Sequence, residues 1–183
     1  MMKTPVTPKL IAACLLITGA TAAFCHVVLQ DSAAATGASY RATFKVGHGC
    51  DGAPTTGIRV SIPAGFRGAQ PMPKPGWTLY TQVGKLAQPT TAHGKVFTEG
   101  ILEIRWEANG PANALPSEFY DEFVLRGTTP SRPGPLWFKV LQTCEKGENA
   151  WVEIPVSGTS TQGLKAPAVL LDVLDIQATG HAH

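Results

Sequence analysis

Apolar and polar residues alternate along most of the chain after its first 25 positions. In residues 40–46, apolar side chains alternate with Arg41, Thr43 and Lys45. This period of two is typical of a β-strand with one face against a core. Comparable segments, some of them less regular, are 58–62, 79–83, 102–106, 119–125, 136–142, 150–156 and 168–176. The pattern therefore predicts a series of short strands.

The segments between these strands favour turns. The chain contains 19 glycines and 15 prolines, and many of them lie between the alternating segments. No window of 12 residues after the first 25 has an amphipathic helical stripe, so helices are not expected. The Pro-rich segment 71–77 predicts a rigid inter-strand loop that ends at a core residue, Trp77. Together these features predict an all-β fold, an immunoglobulin-like β-sandwich of eight or nine strands.

The first 25 residues have the organisation of a secretory signal peptide. Lys3 and Lys9 precede an apolar run from Leu10 to Ile17, and small residues dominate 18–25. The apolar run is too short to favour a membrane-spanning helix. We therefore expect a signal peptide at 1–25, a β-sandwich domain at 26–177 and a flexible tail at 178–183. The mature chain should be periplasmic or secreted, with no membrane span.

The position of signal cleavage decides which residue comes first in the mature chain. Ala23 and Cys25 are small and stand at positions −3 and −1 if cleavage follows Cys25. The first mature residue is then His26. Cleavage after Ala22 or Ala23 is the alternative.

Removal of the signal peptide leaves no net charge. The signal contains two of the 15 basic residues and none of the 13 acidic ones, so 13 of each remain. Such a balance gives no support for nucleic-acid binding.

The cysteine count predicts one disulfide bond. Cys14 and Cys25 belong to the signal segment, which leaves Cys50 and Cys144. In an exported chain an even pair of cysteines is by default a disulfide. A closed loop of about 95 residues would stabilise the fold by ~4–5 kcal/mol. Two thiolate metal ligands are the alternative interpretation.

The candidate chemistry lies at His26. A histidine at a free N-terminus offers two nitrogen ligands, the α-amine and the imidazole, and the amine has an ordinary pKa of only about 8. Met72 is the single methionine after residue 25, which excludes a thioether-rich copper(I) site. Mixed nitrogen and oxygen ligation in tetragonal geometry favours copper(II). A first-strand histidine without a special role is the alternative.

An ordered set of short motifs resembles the YcnI-like family of exported copper-associated domains. The motifs cover nearly the whole mature chain. They are His26–Val28 (HVV), Gly49–Gly52 (GCDG), Pro54–Thr56 (PTT), Val60–Gly65 (VSIPAG), Pro73–Trp77 (PKPGW), Ile104–Trp106 (IRW), Phe119–Phe123 (FYDEF), Phe138–Cys144 (FKVLQTC) and Glu148–Trp151 (ENAW). Each motif alone is weak, whereas the set in this order is specific.

The resemblance implies a copper(II) site of the single-histidine brace type. In it His26 supplies amine and imidazole, Glu122 supplies a carboxylate oxygen, and Trp151 lies beside the metal. A neutral indole has no free lone pair for coordination, so Trp151 would exclude water or face the cation with its ring. The strand pattern allows Glu122 to point inward beside Tyr120. Glu118 and Asp121 are alternative carboxylates within one side-chain step.

These features predict a copper-handling protein that is not an enzyme. Its expected role is copper storage, delivery or homeostasis, with another exported copper protein as a partner. A copper-dependent oxidative enzyme is the alternative, and it would need a second histidine, His48 or His93. Otherwise both are expected to be surface residues.

Two further alternatives concern the domain and its tail. A metal-free interaction domain is the third functional class. His181 and His183 are expected to lie in a solvated tail, with a weak second copper or zinc site as the alternative.

Overall fold

The structure, a computed structural model, describes residues 26–92 and 94–175. Of Ala92 the main chain alone is described. The predicted signal peptide, His93, and the tail with His181 and His183 lie outside the described residues, so the predictions made for them remain predictions. Within the described ranges, no helix is long and apolar enough to cross a membrane.

The described part of the chain folds into eleven β-strands and one short 3-10 turn, Pro111–Asn113. The strands are β1 (Val28–Leu29), β2 (Ala33–Ala35), β3 (Ser39–Val46), β4 (Thr55–Ser61), β5 (Arg67–Pro71), β6 (Trp77–Ala92), β7 (Lys95–Ala108), β8 (Asp121–Thr128), β9 (Gly134–Cys144), β10 (Glu148–Trp151) and β11 (Val169–Leu174). The all-β prediction is confirmed. The count exceeds the predicted eight or nine because β1 and β2 have only two and three residues and because β5 does not alternate.

The strands form two sheets. The smaller sheet has the order β1-β3-β8-β5, and the larger has the order β2-β11-β9-β4-β7-β6 with β10 also paired to β9. Neighbouring strands are antiparallel except β2 and β11, which are parallel. This arrangement places the smaller sheet across the larger one as a sandwich, with the N-terminal strand β1 at an edge of the smaller sheet.

The core lies between the two sheets, and the alternating pattern accounts for it. Phe44 of β3 and Phe123 of β8 point inward from the smaller sheet, and both are almost fully buried. Phe44 contacts Phe138 of β9 across the sandwich, with ring centroids 5.4 Å apart in an edge-to-face arrangement. Phe138 is fully buried, and its ring also meets Phe66 at 5.3 Å. Burying aromatic rings of this size contributes a large share of the stabilisation of a small sandwich.

The strand predicted at 79–83 is a small part of a much longer hairpin. β6 and β7 have 16 and 14 residues and pair along most of their length, with register shifts between Gln82 and Val83 and between Lys85 and Thr90. Much of the hairpin away from the core is exposed, including Val83 and Phe97. A strand exposed on both faces has no reason to alternate, so the pattern could not show its full length.

The Pro-rich loop before β6 packs against the smaller sheet. Trp77 is buried, as expected, and its ring meets Phe123 edge-to-face at 5.0 Å. Lys74 forms an ion pair with Asp121, with Nζ 2.6 Å from Oδ1. The carbonyl oxygen of Met72 accepts the indole N–H of Trp106 at 3.0 Å. These contacts fasten the loop next to the start of β8.

Candidate metal centre

His26 lies at the entry to β1 and its imidazole is half-buried. Val27 and Leu29 are buried in the core, so the first residues of the domain are held by apolar packing on either side of an exposed Val28. β1 is hydrogen-bonded to β3, with Val28 opposite Lys45. These contacts fix the start of the domain although β1 is only two residues long.

Trp151 contacts His26 directly. The two ring centroids are 5.2 Å apart and the ring planes meet at 66°, an edge-to-face arrangement. Trp151 is the last residue of β10, opposite Val140 of β9, and only 4% of it is exposed. The structure therefore brings together two residues that are 125 positions apart in the chain. This is the pair that the predicted site requires to be neighbours.

Gln142 is hydrogen-bonded to the indole of Trp151. Its Oε1 accepts the indole N–H at 3.3 Å and a second N–H from Asn149 at 3.4 Å. Its Nε2 donates to the carbonyl oxygen of His48 at 2.6 Å and to the hydroxyl of Thr55 at 2.8 Å. Gln142 is fully buried, and these four hydrogen bonds satisfy its amide.

Gln142 was not predicted as a site residue, although the sequence carries a signal for it. In β9 the residues at 136, 138, 140, 142 and 144 are all buried on one face. Gln142 is the polar member of this apolar series. An amide at a core position needs hydrogen-bond partners, so the position alone indicates a buried polar network.

Glu122 lies on β8, two strands away from β1. It pairs with Lys45 of β3, which in turn pairs with Val28 of β1. Val28, Lys45 and Glu122 therefore lie in one row across three strands, and His26 precedes Val28 by two residues. Since neighbouring strands are about 4.8 Å apart, the backbones of β1 and β8 are about 10 Å apart. A metal ion shared by His26 and Glu122 would therefore have to bridge β3.

The strand pattern allowed Glu122 to point inward, and the structure places it on the outer face. Phe123 and Leu125 fill the core side of β8, and Glu122 is half-buried on the opposite face. Tyr120, which is 55% exposed, lies on the same outer side and its phenol donates a hydrogen bond to Oε1 of Glu122. Together with slight burial and the charges of Glu122 and Asp121, this bond raises the pKa of Tyr120 to about 12. Bulky aromatic side chains fill the interior, and the charged side chains of Asp121 and Glu122 lie at its rim.

The two alternative carboxylates have different surroundings. Asp121 accepts both the Lys74 ammonium at 2.6 Å and the main-chain N–H of Glu122 at 2.7 Å. Glu118 is exposed on the segment before β8. Because the Asp121 carboxylate is already engaged by a cation and by a main-chain N–H, Glu122 is favoured as the proposed metal-binding carboxylate.

The donor set fits a single-histidine brace in number. Within residues 26–92 and 94–175, no three His, Cys, Asp or Glu side chains cluster as metal ligands. A brace needs only two such side chains, one imidazole and one carboxylate, because its third donor is a main-chain amine. His26 and Glu122 are the residues that would supply them.

The predicted disulfide is confirmed. Cys50 and Cys144 are bonded, with Cα atoms 5.9 Å apart, so the alternative of two thiolate ligands is wrong. Cys50 follows His48 by two residues, and Cys144 follows Gln142 by two. The bond therefore ties the segment after β3 to the end of β9, next to the Gln142 network.

Comparison with solved structures shows an immunoglobulin-like fold. One match is described as "Crystal structure of an uncharacterized protein from Nocardia farcinica reveals an immunoglobulin-like fold". It has a TM-score of 0.61 and 24% sequence identity, and the alignment covers 81% of this chain and 97% of that chain. The protein is thus an all-β sandwich of the immunoglobulin-like class.

A family model matches residues 26–173. The chain belongs to that family, which is described as a domain of unknown function (DUF1775). No curated protein matches the chain.

Proposed function

We propose that this chain is an exported copper(II)-binding domain of the YcnI-like kind that serves copper storage, delivery or homeostasis. The observation that carries the proposal is the contact between the rings of His26 and Trp151, 5.2 Å apart. The family match also begins at residue 26, the residue that the proposed cleavage would make first. Both observations support a site built around the start of the mature domain.

The proposed ligands are the α-amine and imidazole of His26 and the carboxylate of Glu122. Two nitrogens and an oxygen form a donor set that suits the tetragonal geometry of copper(II). Trp151 contributes no coordinating atom, because its indole nitrogen carries a hydrogen and donates it to Gln142. Its role is to cover one side of the His26 imidazole with an apolar surface that excludes water.

A handling role suits a site at the edge of the sandwich. His26 and Glu122 are both half-buried rather than enclosed. An ion held by three donors at such a rim keeps positions open to ligands from another protein. Transfer by ligand exchange with a second exported copper protein is therefore the proposed route of delivery.

The experiment is a copper(II) titration of the mature protein exported from a host cell. Intact mass and N-terminal sequencing first establish that His26 is the first residue. Copper(II) is then titrated into this species and into a matched control with one extra N-terminal glycine, with Trp fluorescence and electron paramagnetic resonance as readouts. We expect tight binding with quenching of Trp151 fluorescence, and binding at least tenfold weaker in the control. Equal affinity of the two species would refute the site.

Side-chain variants test the remaining assignments. Mutation of a residue that only orients a metal ligand typically costs about 10- to 100-fold in affinity, so loss of a ligand itself should cost at least about tenfold. We expect Glu122→Gln to lower copper(II) affinity by roughly that factor, and the matched variant Glu118→Gln to leave it unchanged. Trp151→Phe should abolish most of the copper-dependent fluorescence quenching. If Glu118→Gln has the larger effect, Glu122 is not the ligand.

One observation also favours the alternative of an oxidative copper enzyme. The main-chain oxygen of His48 is bonded to the same Gln142 that receives the Trp151 indole N–H, so a second histidine lies in the same corner of the fold. Copper-loaded protein is therefore to be assayed for reductant-dependent peroxide formation. We expect none above that of free copper(II) at equal concentration. Turnover that is lost in a His48→Phe variant would support the enzyme instead.

A further inference from the structure

We propose that Gln142 is the positioning residue of this centre, which sets the orientation of the Trp151 indole against the imidazole of His26. The inference concerns the metal-free protein, and it rests on the proposed function only where copper is the readout. The network links three segments of the chain, since Gln142 on β9 contacts Trp151 at the end of β10 and His48 after β3.

The amide of Gln142 has one possible orientation. The indole nitrogen of Trp151 is a donor only, so the amide oxygen must face it. The carbonyl oxygen of His48 is an acceptor only, so the amide nitrogen must face that side. Because a flip would break both bonds, Gln142 acts as a directional link between Trp151 and the segment that contains His48.

The placement of Trp151 needs such a link. β10 has only four residues and ends at Trp151, so its pairing with β9 fixes the backbone but not the rotation of the ring. A net hydrogen bond of ordinary strength gives the bonded orientation a roughly three- to tenfold preference over an unbonded one. In the bonded orientation the ring meets the imidazole edge-to-face at 66°.

Stability alone does not account for an amide at this position. A buried amide gains little over an apolar side chain of the same volume, because its hydrogen bonds mainly offset its desolvation. Val140, on the same face of β9 and also fully buried, shows that apolar residues fit the adjoining layer. What the amide adds is direction, which an apolar side chain cannot supply.

The test compares the metal-free wild type with Gln142→Met, Gln142→Glu and the control Asn149→Ala. Met has a similar volume and no amide, Glu keeps an oxygen toward the indole, and Asn149→Ala removes the other donor to Oε1 without touching Trp151. The readouts are the nuclear magnetic resonance shifts of the His26 ring protons, which sense the Trp151 ring current, and the solvent exchange rate of the Trp151 indole N–H. The Trp106 indole N–H, bonded to Met72, reports whether the core is intact.

We expect Gln142→Met to move the His26 ring shifts toward those of an unstructured histidine and to raise the Trp151 exchange rate at least threefold, with Trp106 unchanged. Asn149→Ala should resemble the wild type, whereas Gln142→Glu keeps the acceptor for the indole but loses the donor to His48 and should lie between the wild type and Gln142→Met. Unchanged His26 shifts in folded Gln142→Met would overturn the inference. If Gln142→Met does not fold, the wild type decides the matter, because a Trp151 indole N–H that exchanges with solvent as fast as a free indole would overturn the inference as well.

A copper(II) titration of the same proteins separates this inference from the proposed function. We expect Gln142→Met to bind copper(II) three- to tenfold more weakly than the wild type, and Asn149→Ala to bind it equally well. Wild-type protein that binds no copper contradicts the proposed function alone, because the shift comparison contains no metal. Gln142→Met that binds as tightly as the wild type, with the same quenching of Trp151, contradicts a role of Gln142 in the metal site.

Discussion

Removal of the Cys50–Cys144 disulfide should cost about half of the stability of a domain of this size. The sequence separation of the two cysteines is 94 residues, so the bond closes a loop that spans most of the domain. In the chain-entropy model, a loop of this length restricts the unfolded chain by about 4.7 kcal/mol at 25 °C. Typical domains have unfolding free energies of about 5–15 kcal/mol. The double variant Cys50→Ala/Cys144→Ala should therefore remain folded with a much smaller margin.

The same change should also affect the proposed metal centre. The two cysteines are buried and each lies two residues after a member of the Gln142 network, Cys50 after His48 and Cys144 after Gln142 itself. Without the bond, the segment after β3 is held to β9 by hydrogen bonds alone. We expect the orientation of the Trp151 indole to become less uniform before the sandwich unfolds.

Urea unfolding of the oxidised wild type and the double variant measures this effect. Far-UV circular dichroism follows the sheets and tryptophan fluorescence follows the core, and the difference in free energy comes from the two linear extrapolations. Wild type that has been reduced and alkylated serves as the control for the substitutions themselves. A loss below about 2 kcal/mol, with both proteins unfolding in one transition, would refute the loop-entropy argument.

Three further predictions concern single residues. A Cβ at Gly49 would lie 1.8 Å from a main-chain oxygen, so Gly49→Ala should destabilise the fold by more than about 2 kcal/mol. Thermal unfolding measures the loss. Gly57→Ala is the matched control, because its Cβ would have its nearest neighbour at 3.5 Å. Burial, followed by a nearby carboxylate charge, raises the pKa of Tyr40 above its ordinary value of about 10. The stability that this shift contributes is fully present below pH 10 and is lost as pH rises through the folded-state pKa. Tyr40→Phe should therefore reduce the fall in the urea midpoint between pH 9 and 11. An equal fall in the urea midpoint of wild type and variant would contradict this. Because the carboxylate of Glu122 is the main cause of the raised pKa of Tyr120, about 12, Glu122→Gln should lower that pKa toward 10 in an ultraviolet titration, and an unchanged titration would show that the hydrogen bond is absent in solution.

The strands that face the core on one side were predictable from the sequence. β3, β4 and the last part of β7 alternate because every second side chain enters the interior, as Phe44 and Ile58 do. β5 was not predicted because its sequence RGAQP contains Gly and Pro, and Ala69 is its one buried residue. A strand at a sheet edge tolerates such residues because part of its backbone pairs with no neighbour.

The residues of the centre were predictable to different degrees. His26 stood out by its position after the predicted signal peptide, and Trp151 through the family resemblance alone, because periodicity cannot show which aromatic residue lies next to His26. The side of β8 on which Glu122 lies was not predictable, since alternation identifies two faces without telling which one is the core. Gln142 lay unnoticed in an apolar series whose inward face would have identified it.

The outer edge of β6 ends the larger sheet in the described part of the chain, along a strand of 16 residues. Open backbone donors and acceptors of that length form a template on which a second chain can add a strand. Lys85 and Pro89 are both exposed on this strand. Both oppose the addition of a strand. The charge of Lys85 would have to be desolvated, and Pro89 has no N–H to donate to the hydrogen-bond ladder between strands. Replacing both with valine should therefore promote self-association along this edge, without any change to the sandwich itself, and gel filtration of the double variant beside the wild type would show it.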